Sequence, residues 1–386
     1  MFKKVARGQV SFKMRIFLVF CFTIACLILL WILDARSEMN ADGPEIEVPA
    51  NFEITVWADD VPNARAMAMG EDGTIYIGSR SAGNVYAIPD ANGDNKADEV
   101  ILIAEKLKLP VGVSYLDGDL YISAVSKIYK ISSIKENLRN EPELEKITDA
   151  FPTETHHGWK FIDVGPDGKL YVPVGAPCNI CEEDPDQYAN IMRMDLDGSN
   201  LETYARGVRN TVGFDWHPET GELWFTDNGR DWMGDDLPPC ELNHAPNPDM
   251  HFGYPYCHGT DIPDPEFGEG KNCEDYIPPK FNFGAHTAPL GICFYDGDQF
   301  PDRYTNDIFV ALHGSWNRST KVGYKVLHLD LDENGNVLGS KDFLIGMEVR
   351  GEVIGRPVDV LVYKDGSLLV SDDHAGKIYQ IKYTGQ

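Results

Sequence analysis

Basic side chains are scarce in this sequence: 34 lysines and arginines stand against 61 aspartates and glutamates, a formal charge of −27 across 386 residues. That balance excludes nucleic acid as a partner, because most of such affinity comes from Lys and Arg neutralising phosphates. Amphipathic helical periodicity is nearly missing too, with Ser132 to Leu144 the best short candidate, so helical solenoids are set aside. No second CxxC accompanies Cys178-Asn-Ile-Cys181, which leaves a zinc set incomplete, and Glu182 stands where haem attachment requires His. Against these absences, 43% of the residues are hydrophobic, enough for a substantial core in one large domain or two ordinary ones.

Charge is also absent from Ile16 to Leu33, IFLVFCFTIACLILLWIL, which follows Lys3, Lys4, Arg7, Lys13 and Arg15 and precedes Asp34. A basic flank stays in the cytoplasm, so residues 1–15 read as a cytoplasmic tail, 16–33 as a transmembrane anchor, 34–49 as a linker and 50–384 as an exported domain. The alternative is a cleaved signal segment and a secreted protein. The apolar run continues through Leu33 without a small-x-small cleavage site, which favours the anchor. The folded domain is then placed outside the cytoplasm, on the periplasmic or extracellular face. Six cysteines lie beyond the apolar segment, Cys178, Cys181, Cys240, Cys257, Cys273 and Cys293. In an exported chain they read as structural disulfides, with a redox motif or half a metal site as the other reading of the CxxC pair.

From Asn51 onward one pattern recurs: a strand with alternating apolar residues, an Asp-Gly turn or its equivalent, and a second such strand. It occurs in Met67 to Ser79, Val113 to Ser123, Phe161 to Val174, Gly213 to Thr226, Gly291 to Ala311 and Val358 to Ser371. A short sheet cannot bury both faces alone, and all-strand repeats at this spacing predict propeller blades. The expected fold is therefore all-β, a six-bladed β-propeller over residues 50–384 preceded by the N-terminal transmembrane segment, with the two chain ends meeting in one blade. The gap from Asp227 to Leu290 is rich in Pro, Gly, Asn and His and holds three of the cysteines. It is expected to be a long functional loop stapled by disulfides.

Loops at one mouth of a propeller converge, and residues just before each inner strand face the channel. Those positions hold Arg65, then His156 and His157, then Arg209 and Asn210, then His313, Asn317 and Arg318, then Arg356 and Asp359. Cations and imidazoles repeated at one position predict an anionic ligand, since a guanidinium offers a planar fork to carboxylates. Separately, Asp90-Ala-Asn-Gly-Asp94-Asn-Lys-Ala-Asp98 resembles a calcium loop but lacks its closing glutamate, and an ordinary polar turn explains it equally well.

The stretches H157GWKFIDVGPDGKLYV, ARGVRN, TDNGRDWMGDDLPPCELN, HFGYP, HGSWNR and GRPVDV carry a resemblance to the PQQ-dependent sugar dehydrogenases. That is the glucose/sorbosone dehydrogenase family of six-bladed propellers, and the motifs look most like its sorbosone-dehydrogenase-type branch. The resemblance runs over nearly all of residues 45–384. It implies that His157 is the general base removing the C1 hydroxyl proton of a sugar, and that Arg209 polarises the quinone oxygen. Asn210 and Arg356 would be cofactor contacts, and the backbone carbonyls of Gly229 and Arg230 would hold a Ca²⁺ that bridges to PQQ. This sequence departs from the pattern at Val358, where a second arginine is expected, and at His156, where an acid usually stands. His313, Asn317 or Arg318 would replace the family's lysine contact, and Arg65 stands about where a glutamine contact would be.

The expected function is oxidation of an aldose or related sugar at C1, with electrons passed on to the quinone pool or a soluble carrier. Two other readings compete. A calcium-dependent lactonase-type hydrolase would need acidic side chains converging on the metal, and a non-enzymatic glycan- or protein-binding propeller would need no base at His157.

Overall fold

Alternating apolar residues on either side of tight turns make each repeat fold back on itself as an antiparallel sheet with one face for each neighbour. In the computed structural model, which describes residues 46–385 except Glu141, six such sheets follow one another. Blade 1 comprises Ala64–Met69, Ile75–Ser79, Val85–Ile88 and Ile101–Ala104, and blade 2 Val113–Leu116, Asp119–Ser123, Ile128–Ile131 and Glu145–Thr148. Blade 3 comprises Asp163–Val164, Leu170–Val174, Asn190–Met194 and Glu202–Arg206; blade 4, Phe214–Trp216, Leu223–Asp227, Pro239–Ala245 and Phe281–Ala285. Blade 5 comprises Pro289–Phe294, Ile308–Leu312, Lys325–Leu331 and Val337–Leu344. Blade 6 closes the ring: Pro357–Val362, Leu368–Asp372 and Lys377–Tyr383 are joined by Phe52–Ala58 from the other end of the domain, with Phe52 opposite Tyr383.

Packing between blades makes the core. Between blades 3 and 4, Phe161 meets Phe214 edge to face with ring centroids 4.8 Å apart, and Tyr171 meets Trp216 at 5.3 Å. Buried large apolar side chains of this kind contribute ~1.5–3 kcal/mol each. Aspartates on the inner strands add polar links across blades. Asp359 accepts from the Met67 N–H at 2.8 Å, Asp215 from the Phe294 N–H at 2.8 Å, and Asp163 from the Ser114 hydroxyl at 2.6 Å. Burial pushes all three carboxyls up, those of Asp215 and Asp359 to about 7.

Three expectations are corrected. Asp359 does not join the cationic ring at the mouth; with Asp163, Asp215 and Cys293 it lines a separate recess of about 270 Å³, because the inner strand carries it ~10 Å along from Arg356 at 3.3 Å per residue. Residues 227–290 are not one long loop: they supply two strands of blade 4, and Met250–His251 adds in parallel to the outer strand of blade 3. Helix forms over only one turn of the Ser132–Leu144 candidate, Ile134–Asn137. The expected disulfides form for two pairs, Cys178–Cys181 and Cys257–Cys273, the second within residues 227–290 as expected, while Cys240 and Cys293 stay as buried thiols.

The carboxylates of the 90–98 loop are spent on their own loop and its neighbour. Asp90 pairs with Lys364 at 2.7 Å and accepts from Asn95 N, and Asp98 accepts from Ala91 N at 2.6 Å. Among the described residues no group of three or more His, Cys, Asp or Glu side chains is placed to hold a metal ion, and no helix is long and apolar enough to cross a membrane. The proposed tail and anchor, residues 1–15 and 16–33, and most of the linker lie outside the described residues.

Candidate active site

At one mouth of the channel the loops enclose a cavity of about 510 Å³, within the usual range of ~300–1,000 Å³ for small-molecule sites. Its wall brings together Arg65, His156, His157, Arg209, Asn210, His313 and Arg356, with Gly229 also lining it. Arg80, Trp159, Asp231, His286 and Trp316 join them. Four arginines and one carboxylate thus face a single space inside a protein whose net charge is −27.

His157 is set by the loop that precedes the inner strand of blade 3. Its backbone is left-handed, with φ 50, a conformation that costs a non-glycine residue on the order of 1–3 kcal/mol and is held by its surroundings. Gly175 packs against it so closely that a Cβ there would lie 2.6 Å from the His157 Cβ. The Nδ1 of His157 is 2.8 Å from the Ala176 carbonyl. A carbonyl can only accept, so Nδ1 carries the proton and Nε2 keeps a lone pair. Burial, with Arg209 and then His156 adding repulsion, drives the imidazole well below its ordinary value, which keeps it a neutral base. The His156 ring lies against it with centroids 4.1 Å apart.

Arg209 is the most firmly held cation. Its Nε donates to the Asn179 carbonyl at 2.8 Å, Nη2 to Asn179 Oδ1 at 2.9 Å and Nη1 to the Asn228 carbonyl at 3.0 Å. The same Asn179 Oδ1 accepts from Asp231 N at 2.8 Å, while Asn179 Nδ2 donates to the Asp231 carbonyl at 3.0 Å. Asn179 itself sits inside the loop closed by the Cys178–Cys181 disulfide. Buried Asp227 accepts from the backbone N–H groups of Arg209 and Asn210 at 2.7 and 2.6 Å, which fixes the chain on which both side chains stand.

Across the cavity a relay runs through three blades. Arg65 pairs with Asp373 at 2.9 Å, Asp373 accepts from His313 Nε2 at 2.9 Å, and His313 Nδ1 accepts from Arg356 Nη2 at 2.9 Å. Burial holds His313 down at about 4, neutral, as its role as acceptor for Arg356 requires. Burial works to raise Asp373, but His313, Arg65 and Arg356 outweigh it and hold the carboxyl well below the usual range. Arg80 lies over the Trp159 ring, 4.4 Å from its centroid.

Two of the expected site residues, Asn317 and Arg318, stand elsewhere, and a third, Arg230, is expected there through its carbonyl and not its side chain. Arg318 turns to Asp236 at 3.0 Å and to the Asp235 carbonyl, and Asn317 reaches Asp231 at 3.5 Å, so Trp316 lines the cavity in their place. The Arg230 side chain points into a buried pair with Asp264 at 2.7 Å and does not line the cavity. Sequence reasoning missed Arg80, Asn179, Asp231, His286 and Asp373. Arg80 and Asp373 each come directly after the second strand of a blade, Ile75–Ser79 and Leu368–Asp372, a register that could have been read beside the one before the inner strand.

Two buried donors on the wall, Arg65 Nε and Trp159 Nε1, have no partner among the described residues. Unpaired buried donors are costly, and together with four guanidinium groups they fit a flat, multiply anionic ligand. A tricarboxylate quinone matches that donor set.

A family model described as TrAA12-like matches residues 46–384. A protein of Borreliella burgdorferi described only as uncharacterized is 36% identical over 352 residues, covering 88% of this chain and 91% of its own. Among solved structures, the calcium structure of the Trichoderma reesei family AA12 carbohydrate-active enzyme superposes with a TM-score of 0.76 at 17% identity, covering 89% of this chain and 98% of that one. The holo PQQ domain of Coprinopsis cinerea pyranose dehydrogenase gives 0.73 at 18% identity, covering 88% and 97%. The PQQ-bound aldose sugar dehydrogenase of Streptomyces coelicolor gives 0.64 at 17%, covering 87% and 99%. At these identities the likeness of the solved structures is one of fold.

Proposed function

The chain belongs to the TrAA12-like family, and on that premise we propose that it is a PQQ-dependent sugar dehydrogenase oxidising an aldose or related sugar at C1, with motifs of the sorbosone-dehydrogenase type. One observation carries the proposal: a neutral imidazole with a bare Nε2 and an immobilised arginine face the same arginine-lined cavity. The PQQ named for the Coprinopsis cinerea and Streptomyces coelicolor structures supports the cofactor.

Arg65, Arg80 and Arg356 would meet the cofactor's carboxylates, and Asn210 would add a polar contact. When bound, PQQ supplies a two-electron acceptor for the hydride leaving C1. The sugar's C1 hydroxyl would give its proton to His157 Nε2 as that hydride leaves, so that proton and hydride loss together turn C1 into a carbonyl. Positioned bases of this kind contribute ~100 to 10,000-fold. Arg209 stays charged and fixed, so it can stabilise negative charge developing in the cavity without moving to meet it. Calcium belongs to the same proposal, assigned through the resemblance to the carbonyls of Gly229 and Arg230, of which Gly229 lines the cavity. The 16–33 segment would anchor the domain outside the cytoplasm and keep it near a membrane quinone or soluble carrier.

The lactonase-type alternative is disfavoured by a cavity wall with four arginines and a single carboxylate. The deciding experiment adds PQQ and Ca²⁺ to the purified protein with a dye acceptor and a panel of sugars. Sugar-dependent dye reduction, and quinone absorbance kept through desalting, are expected. Neither appearing, or lactone hydrolysis with metal alone, overturns the proposal.

A further inference from the structure

Two tryptophans stand in water where the cavity opens. Trp232 is 68% exposed and Trp316 69% exposed, and their rings meet edge to face with centroids 5.5 Å apart. Trp316 belongs to the cavity wall, and Trp232 follows Asp231, which also does. They come from different loops, after the second strand of blade 4 and after that of blade 5. Exposing two indoles side by side forgoes the burial that such side chains ordinarily gain.

Neither position is loose. Trp232 holds a left-handed backbone, φ 71, unusual for a bulky aromatic. The residue before it is pinned at both backbone polar atoms by Asn179. Before Trp316, Ser315 N donates to the Val322 carbonyl at 2.9 Å, Val322 N donates to Ser315 Oγ at 3.1 Å, and the Tyr324 hydroxyl donates to the Ser315 carbonyl at 2.6 Å. Two rigid loops therefore present two indole faces at 84° to one another, a corner with polar groups of Asp231, Asn317 and Arg318 around it.

We infer that Trp232 and Trp316 form a sugar-binding subsite at the opening of the cavity, so that the substrate is the reducing end of an oligosaccharide whose next residue stacks in the indole corner. This rests on the sugar dehydrogenase reading of the cavity. Area decides between a saccharide and a protein partner. Two indoles offer on the order of 300–500 Å², well short of the ~1,200–2,000 Å² of a stable protein interface but suited to one or two sugar rings, whose C–H faces pack on aromatics.

The test has two arms. In the first, intrinsic tryptophan fluorescence of the full chain without cofactor is titrated with a β-linked glucose tetrasaccharide, an α-linked one and free glucose. Quenching by a tetrasaccharide but not by glucose is expected, with affinity falling about tenfold in W232A and recovering in part in W232F. In the second, kcat/KM is measured for tetrasaccharide and monosaccharide with PQQ and dye. The ratio of the two is expected to fall at least tenfold in W232A and in W316A. Quenching without any sugar oxidation would leave the subsite standing and sink the dehydrogenase reading. Monosaccharide oxidation with no preference for oligosaccharides, and no quenching, would overturn the subsite alone. So would variants that change only the rate with a protein electron acceptor, which would make the corner a docking point for that partner.

Discussion

Gly175 carries no functional group, yet the geometry makes it one of the most sensitive positions in the protein. It follows the second strand of blade 3, Leu170–Val174. A Cβ there would lie 2.6 Å from the His157 Cβ, 2.9 Å from the His157 carbonyl oxygen and 3.3 Å from the Arg209 carbonyl oxygen. Alanine at 175 is thus wedged between the proposed base and the arginine opposite it. Reaching 3.4 Å, the near edge of ordinary contact, requires His157 to retreat by about 0.8 Å. Overpacking of this kind costs ~1–3 kcal/mol, and a misplacement near 1 Å at a reacting group costs on the order of 100-fold in rate. The expected result for Gly175→Ala is a folded protein whose melting temperature drops by a few degrees and whose kcat/KM for sugar falls about 100-fold. Gly339→Ala, with nothing within 4 Å of the added Cβ, should leave both unchanged. Turnover of G175A within threefold of the parent would refute the reasoning, since it would show that His157 is not held by this contact or is not the base.

Two other predictions concern pH. His157 acts when neutral, and its value is held well below 6.5 by burial and Arg209, so kcat/KM should stay level as pH falls from 7.5 to 6.5. A half-maximal point at 6.5 or above would contradict the environment assigned to it. Asp359 has the opposite kind of shift: its folded value is raised from 3.8 to about 7 by burial. The folded state then holds a proton that the unfolded chain gives up, so this contribution to stability is full below about 4 and is lost as pH rises to about 7. The melting temperature should decline between pH 5 and 8, and Asp359→Asn should shrink that decline; an unchanged slope in thermal melts would show that Asp359 is charged in the fold.

Much of the architecture is legible in the sequence because a propeller is built from local signals. The pairing of Phe161–Val174 or Gly213–Thr226 is a hairpin, decided by alternation and by a turn glycine such as Gly168, whose φ of 74 suits glycine best. Residues 227–290 are not legible for the converse reason. Pro239–Ala245 is a middle strand interrupted by no turn signal, and Met250–His251 earns strand character only from Ala205 and Arg206, about forty-five residues earlier. Nothing within a short window announces a partner at that distance.

The site divides along the same line, and the division bears on how the cavity acquires its charge. Residues just before the inner strands, His157, Arg209 and Arg356 among them, could be found because the repeat fixes their register. Residues just after the second strands, Arg80, Asn228 and His313, with Asp373 bonded behind them, form a second ring at the same mouth; of these the sequence offers His313, though in the register before an inner strand. Only the two rings together explain the electrostatics. Asp373 from the second ring joins Arg65 and His313, and through His313 it orients Arg356, so an aspartate buried among cations fixes their directions without cancelling their number. Arg209 is steadied largely by neutral carbonyl and amide oxygens of Asn179 and Asn228, with Asp231 farther off at 3.6 Å. Positive charge placed on neutral dipoles stays available to a ligand, whereas a close carboxylate partner would have spent it.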